Sequence, residues 1–500
     1  MRSWHRPPWA RSERRPLGLL FVLVLVANAG SGRGPTPAQR GQQLRIVPLS
    51  VEDAALVLRS FGAPLPHALA SALETPTFAA RWSAWAREHD ARIRARVQQG
   101  EEDSLINFLL FGTSFTRHPR VTAKEVEAML REGGGGATEI VGRLLRGRVD
   151  DLLAGLAAPG RNERLLFLRQ LVRRHGYDPN AAADRPRVRA YIMRTLARVF
   201  AEQRALARAA QEAEQSGPPA EEFLRRSTLY RARGLSLDTS LWPNLALEEA
   251  LSALRARGLL AARSVRTVAV IGPGLDFTDK QEGFDFYPLQ TLQPFALIET
   301  LQRLGLAEER ALRVYALDLS ERVIAHLVRA QQRAQRGLGY TLHLPLDPDI
   351  PWTPHALSFW EHFGTTIGTP APPVTVPPGL ASLRQRAVRI RPDIVRKVIP
   401  VKANIILERV ERPDAERFDL IVATNVFVYY EAFEQSLALK NIERMLRPGG
   451  FLLSNNALPE LPVTRVRSVG YSTTVYSARP KDGDHIVWYQ RLPDEAGAPH

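Results

Sequence analysis

Two glycines and a few carboxylate, amide and phenol side chains stand at the ends of apolar runs in this chain. VAVIGPGLDFTD places Gly272 and Gly274 directly after a strand-like run, with Asp276 two residues on. Glycine lacks a Cβ, so such a loop lets the backbone approach a ligand that a side chain would exclude. RVYALDLSERVIAHL puts Asp318 at the end of a second run, where a carboxylate can accept two ribose hydroxyls. IPVKANIIL presents Asn404 after a third run, and FDLIVATNVFVYY presents Asn425, Tyr429 and Tyr430 after a fourth. In an open α/β sheet, ligands bind beyond the carboxyl ends of the strands, where these residues fall.

Several familiar chemistries are excluded. A nicotinamide or flavin fingerprint needs a third glycine where this chain has Phe277, and an acid about twenty residues later, which is missing. No Gly-Lys-Ser/Thr follows the loop, so it is not a P-loop. No HExxH spacing occurs, and His343, His355 and His362 sit apart, so no metal site is expected. No GxSxG nucleophile elbow is present. The chain has no cysteine, which removes disulfides, thiolate ligands and cysteine nucleophiles together.

The elements that must position these residues alternate from about Arg266 onward. Strands are expected at Thr267–Ile271, Leu312–Leu317, Phe418–Ala423 and Gly450–Ser454, and helices at Gln290–Leu304, Glu321–Arg333 and Glu431–Leu446. Short apolar runs separated by amphipathic helices imply a parallel sheet covered on both faces. YSTTVYSARPKDGDHIVWYQRL alternates and turns at Pro480–Gly483, which reads as a terminal antiparallel hairpin. Residues 338–398, rich in Pro, read as an insertion holding a helix and little else. Before the sheet, residues 45–262 are mostly helical. Val188, Tyr191, Ile192, Leu196, Val199 and Phe200 recur at helical spacing, with Asp184 before Arg185-Pro186 as a start signal. TAKE at Thr122 fits a capping box, and Gly133–Gly136 reads as a loop. LLFGTSF and RARGLSLDTSLWPN are unusual phrases that suggest loops buried against the sheet region or contacts with a ligand.

Taken in order, the glycine loop, Asp318, FDLIVATNVFVYY and MLRPGGFLLSNN resemble a class I S-adenosylmethionine-dependent methyltransferase over residues 265–492. The last third most resembles the chemotaxis receptor glutamate methyltransferases. The resemblance implies a Rossmann-like seven-stranded methyltransferase sheet of α/β class, with a C-terminal antiparallel hairpin, preceded by a mostly α-helical domain. It implies S-adenosyl-L-methionine as cofactor: Gly272 and Gly274 along its methionine part, Asp318 at the ribose and Asn404 near the adenine edge. Asn425 would face the methyl donor beside Tyr429 and Tyr430. The sequence departs from the class at Val270, where an acid is usual, and at Asp276, where a further glycine is usual. Thr424 stands where the glutamate methyltransferases carry Arg. The loop DFTDKQEGFDFYP has two readings: a lid over the cofactor, in which Asp276 receives the methionine amino group, or an aromatic docking surface for the helical domain. The implied activity is methyl transfer to an oxygen or nitrogen of a small molecule or protein. The alternative is an exported, catalytically degenerate binding or scaffolding protein. FDLIVATNV lacks the Pro-Pro-Tyr segment of nucleobase amino-methyltransferases, so no nucleic acid is expected as partner.

The 500 residues exceed the usual size of one hydrophobic core. The formal charge of +15 is spread along the chain, mostly as Arg, and reads as solvated helix faces. Residues 1–29 have the parts of a signal peptide: an Arg-rich start, an apolar run from Leu17 to Ala27, and small residues around Ala29. Arg14-Arg15 also fits a twin-arginine signal. A flexible leader, 30–44, would follow. Export is thus expected, with membrane contact only through this segment; a short anchor, or a cytoplasmic protein with a misassigned start, are the alternatives.

Overall fold

The computed structural model describes residues 44–62, 65–118, 121–122, 125, 137–215, 239–276, 282–479 and 482–493. The expected signal, the leader up to residue 43, the Gly133–Gly136 loop and the Pro480–Lys481 turn lie outside these residues. The helical region contains α1 (Val51–Ser60), α2 (Phe78–Leu110), α3 (Ala137–Ala157), α4 (Glu163–Arg174), α5 (Arg185–Gln215) and α6 (Trp242–Ala256). Thr122 and Glu125 form the expected capping box: Glu125 Oε2 accepts from Thr122 N at 2.6 Å, and Thr122 Oγ1 accepts from Glu125 N at 3.2 Å. Among the described residues, no helix is long and apolar enough to cross a membrane.

The sheet region builds on β2 (Thr267–Ile271), β3 (Arg313–Asp318), β7 (Val398–Lys402), β9 (Phe418–Ala423), β10 (Leu446–Ser454), β11 (Val466–Val475) and β12 (Gly483–Arg491). They form one seven-stranded sheet in the order β11-β12-β10-β9-β2-β3-β7. Strands β10, β9, β2, β3 and β7 are parallel, while β12 runs antiparallel to both β10 and β11. This is the expected Rossmann-like sheet with its terminal antiparallel hairpin. TVAVI and FDLIVA are almost wholly buried, because α7 (Gln293–Arg303), α8 (Glu321–Gln335) and α10 (Ala432–Met445) provide the crossover helices that a parallel sheet requires. The chain runs outward from β2 through β3 to β7, then returns to β9 on the other side of β2. The loops after β2 and β9 therefore part at the sheet's switch point, where a crevice opens.

The insertion is richer than its composition suggests. It holds β4 (Tyr340–Leu346), α9 (Pro354–His362), β5 (Gly368–Ala371) and β6 (Arg384–Ile390), with the strands in a second, antiparallel sheet ordered β4-β6-β5. The prolines hid it. Pro345 and Pro370 lie in the two edge strands, where the lost N–H is tolerated, and the central strand RQRAVRI has none. Glu299 of α7 anchors the insertion by accepting from Thr366 N at 3.0 Å and Thr366 Oγ1 at 2.9 Å.

Packing does not divide at residue 262. β1 (Arg45–Pro48) pairs antiparallel with β8 (Glu408–Glu411) beside the main sheet. Phe78, Trp82, Ile93 and Val97 of α2 belong to the core that contains the sheet. Leu105, Ile106, Phe108, Leu109 and Leu110 of the same helix belong to a second core with α3, α4 and α5.

Candidate functional site

The crevice at the switch point is a narrow cleft of about 70 Å³, open to solvent at its mouth. The loop after β2 contributes Gly272 and Gly274, β3 contributes Asp318, and the segment after β9 contributes Asn425, Val426, Tyr429 and Tyr430. Val97 of α2 completes the lining, so a helix from far upstream roofs the strand ends. Gly272 has φ 65° and Gly274 has φ 73°, backbone geometry that favours glycine. A Cβ on Gly272 would stand 2.7 Å from Val426 Cγ2, so this position also needs the missing side chain for space.

Asp318 is the charged centre of the cleft and is 6% exposed. Burial raises its pKa to about 7; donation from Ser320 N to Oδ1 at 2.8 Å opposes the shift, and the nearby Glu101 charge adds to it. Glu101 lies one helical turn beyond Val97, and its carboxylate accepts from Ser320 Oγ at 2.8 Å. Its own pKa is raised, chiefly by burial. Two carboxylates from separate elements thus flank Ser320. Asn425 is exposed at φ 57° and is held by Asn455: Asn425 N donates to Asn455 Oδ1 at 2.8 Å, and Asn455 Nδ2 donates to Asn425 Oδ1 at 2.7 Å. Arg96 Nη2 donates to the Tyr429 carbonyl at 2.6 Å, tying α2 to the same segment. Among the described residues, no group of three or more His, Asp or Glu side chains is placed to hold a metal ion.

Five of the seven expected site residues line this cleft: Gly272, Gly274, Asp318, Asn425 and Tyr429. Two do not. Asp276 is wholly buried, and its Oδ1 accepts from Arg164 Nε at 2.8 Å, so a guanidinium holds the place expected for a methionine amino group. Asn404 donates from Nδ2 to Asp90 Oδ1 at 2.8 Å and accepts from Ile406 N at 3.2 Å. Its neighbours Ala403 and Ile405 line the cleft instead.

The described part of the long loop docks the helical region. Asp285 accepts from Thr113 N at 2.7 Å, Ser114 N at 2.8 Å, Ser114 Oγ at 2.7 Å and Asn162 Nδ2 at 2.7 Å. The phrase LLFGTSF therefore marks the end of α2 and an inter-element loop that is buried up to Gly112. Phe284 and Tyr287 pack with Leu380 in a small core of their own, away from the cleft lining. Residues 277–281 lie outside the described residues. Val97, Glu101 and Arg164 are absent from the sequence reading, because nothing local separates them from the many other residues of amphipathic helices.

A family model described as a methyltransferase domain matches residues 383–454. No curated protein sequence matches the chain. Among solved structures, TrmN from Thermus thermophilus is similar at 14% identity and TM-score 0.22, covering 50% of this chain and 52% of that one. This chain thus spans about half the length of that protein. The CurJ carbon methyltransferase is similar at 11% identity and TM-score 0.23, covering 81% and 94% of the two chains. Human N-acetylserotonin methyltransferase is similar at 13% identity and TM-score 0.21, covering 87% and 100%. The family match itself runs from β6 through β10, and it ends on the strand whose neighbour β9 leads into the cleft.

Proposed function

We propose that the cleft binds S-adenosylmethionine and that the chain transfers its methyl group to an oxygen or nitrogen of a small molecule or protein. One observation carries the reading: Gly272 and Gly274, just beyond β2, and Asp318, at the end of the adjacent parallel strand β3, border the same cleft. The methyltransferase-domain match over residues 383–454 supports it from the other side of the switch point. The residues fit such a cofactor. The loop after β2 offers backbone that a Cβ at Gly272 would obstruct. The buried Asp318 carboxylate, at the end of β3, offers an acceptor for ribose hydroxyls.

Bound there, the sulfonium cofactor would supply an already activated methyl group. What remains for the chain is alignment and exclusion of water. Gly272 and Gly274 admit the methionine portion, Asp318 holds the ribose, and Val97 closes the roof. Asn425, fixed by Asn455, and Tyr429, fixed through its carbonyl by Arg96, border the side from which a nucleophile would approach. The acceptor stays at the level of a class. The finer resemblance to glutamate methyltransferases meets Thr424, whose hydroxyl accepts from Gln293 Nε2 at 2.6 Å where those enzymes carry Arg.

Titration calorimetry with S-adenosylmethionine and S-adenosylhomocysteine tests the reading. Micromolar binding by the parent chain, weakened at least tenfold in Asp318→Ala, is the expected result; a charged hydrogen bond is worth about that much. Absence of binding by either ligand would instead leave a methyltransferase-shaped binding module.

A further inference from the structure

Arg164 is an odd residue for its position. It sits in the first turn of α4, where the helix dipole disfavours a cation, and its side chain is about 1% exposed. A buried guanidinium must be paired and hydrogen-bonded to persist. Every partner that satisfies it belongs to the segment following the glycine loop. Nε donates to Asp276 Oδ1 at 2.8 Å, and Nη1 donates to the carbonyls of Asp285 at 3.1 Å and Tyr287 at 2.5 Å. The rings of Phe108 from α2 and Tyr287 lie 5.6 and 5.2 Å from its guanidinium carbon.

Asp276 is the residue on which this grip acts. It closes the run Gly272-Pro273-Gly274-Leu275-Asp276, in which Gly272, Gly274 and Asp276 all have positive φ, and at 67° Asp276 is in a region that non-glycine residues seldom adopt. Its backbone is pinned on both sides, by Asp276 N to Gln290 O at 2.8 Å and Thr239 N to Asp276 O at 3.1 Å. Its other carboxylate oxygen lies 3.9 Å from Nη2 of Arg322, which belongs to the helix that starts just after Asp318. Arg322 in turn lies over Phe167 of α4, 4.3 Å from the ring centroid. A carboxylate held between Arg164 and Arg322 therefore joins the exit of the glycine loop to the helix following the ribose-side acid.

We infer that Arg164 is a positioning residue for the cofactor loop: through Asp276 it fixes the left-handed exit that sets Gly272 and Gly274 against the cleft. This inference rests on the proposed cofactor reading for its effect on affinity, but not for its effect on the loop. The helical region then completes the cofactor site without touching the cofactor through this residue.

The test uses the full chain with Arg164→Met, Arg164→Lys, Asp276→Asn and the double variant Arg164→Met/Asp276→Asn. Calorimetry with S-adenosylhomocysteine separates dissociation constant from stoichiometry, and hydrogen exchange follows the loop without ligand. We expect Arg164→Met and Asp276→Asn each to weaken binding tenfold or more at unchanged stoichiometry, and the double variant to lose no more than either alone. Arg164→Lys keeps the charge without the fork, so its loss is smaller. Exchange should quicken at 274–276 and 285–287 and stay as in the parent at β9. Falling stoichiometry with an unchanged dissociation constant would mark Arg164 as merely structural and overturn the inference. So would multiplying effects in the double variant, or parent-like exchange at 274–276. If the parent chain binds no S-adenosylhomocysteine while Arg164→Met still loosens that loop, the cofactor reading falls and the positioning role stands.

Discussion

Asp318 concentrates the electrostatics of the cleft in one group. An aspartate whose folded pKa is raised to about 7 pays for ionisation with stability, because burial disfavours its charge. The contribution of its neutral form is fully present below the unfolded pKa of about 4 and is lost as pH rises through about 7. Asp318→Asn, which stays neutral and keeps an acceptor for Ser320 N, should therefore be more stable than the parent at pH 8, by roughly 2–4 kcal/mol. Below about pH 4 the difference should vanish. Urea titrations at the two pH values check this, and equal stabilities at pH 8 would contradict it. Ligand affinity should run the opposite way, since the ionised carboxylate is the better acceptor for ribose hydroxyls. S-adenosylhomocysteine binding should strengthen from pH 6 to pH 8 in the parent and lose that dependence in Asp318→Asn.

At the scale of elements, α2 and the loop before α7 decide how the cleft is closed. The 33 residues of α2 extend about 50 Å, long enough to pack on the sheet at one end and on the helical core at the other. Its middle turns carry Arg96, Val97 and Glu101 to the strand ends. The helical core is latched to the sheet region by Asp285, whose carboxylate gathers the backbone N–H groups of Thr113 and Ser114 and the amide of Asn162. Gly283 permits the approach: a Cβ there would stand 2.0 Å from Phe111 O. Asp285→Ala removes the shared acceptor of several partly buried donors at once and should cost roughly 1–3 kcal/mol. Chemical denaturation followed by circular dichroism measures this; a loss below about 1 kcal/mol would mean that the latch is solvated instead.

At the scale of the molecule, the two cores share one continuous helix, and the first described strand pairs beside the sheet. Unfolding one core breaks α2 for the other. A fragment of residues 263–493, cut where the sequence suggests a boundary, would expose the apolar faces that contact α1, α2 and α6. It should remain unfolded or aggregate, whereas the full chain should melt in one calorimetric transition. A soluble fragment with its own cooperative melt would refute this coupling. The Pro-rich insertion belongs to the same body, since α7 holds it through Glu299 and its apolar residues join the sheet's core.

Much of this protein follows from local sequence. Strand β9 falls on Phe418–Ala423 as its apolar run predicts, and the terminal hairpin follows from alternation on either side of a Pro-Gly turn. Gly272, Gly274, Asp318, Asn425 and Tyr429 reach one cleft because a residue's place just beyond a strand fixes where it lies in a parallel sheet. Other features depend on what each side chain meets across the fold. Asp276 and Asn404 have the right chemistry at strand ends, but Arg164, 112 residues away, and Asp90, 314 residues away, take up their polar atoms. Coulomb attraction and burial act between neighbours in space, so a pairing that spans a hundred residues leaves no periodicity to read. The same holds for the α2 roof and for the small sheet within the insertion: their strands and turns are local, but their partners are chosen by the packed chain.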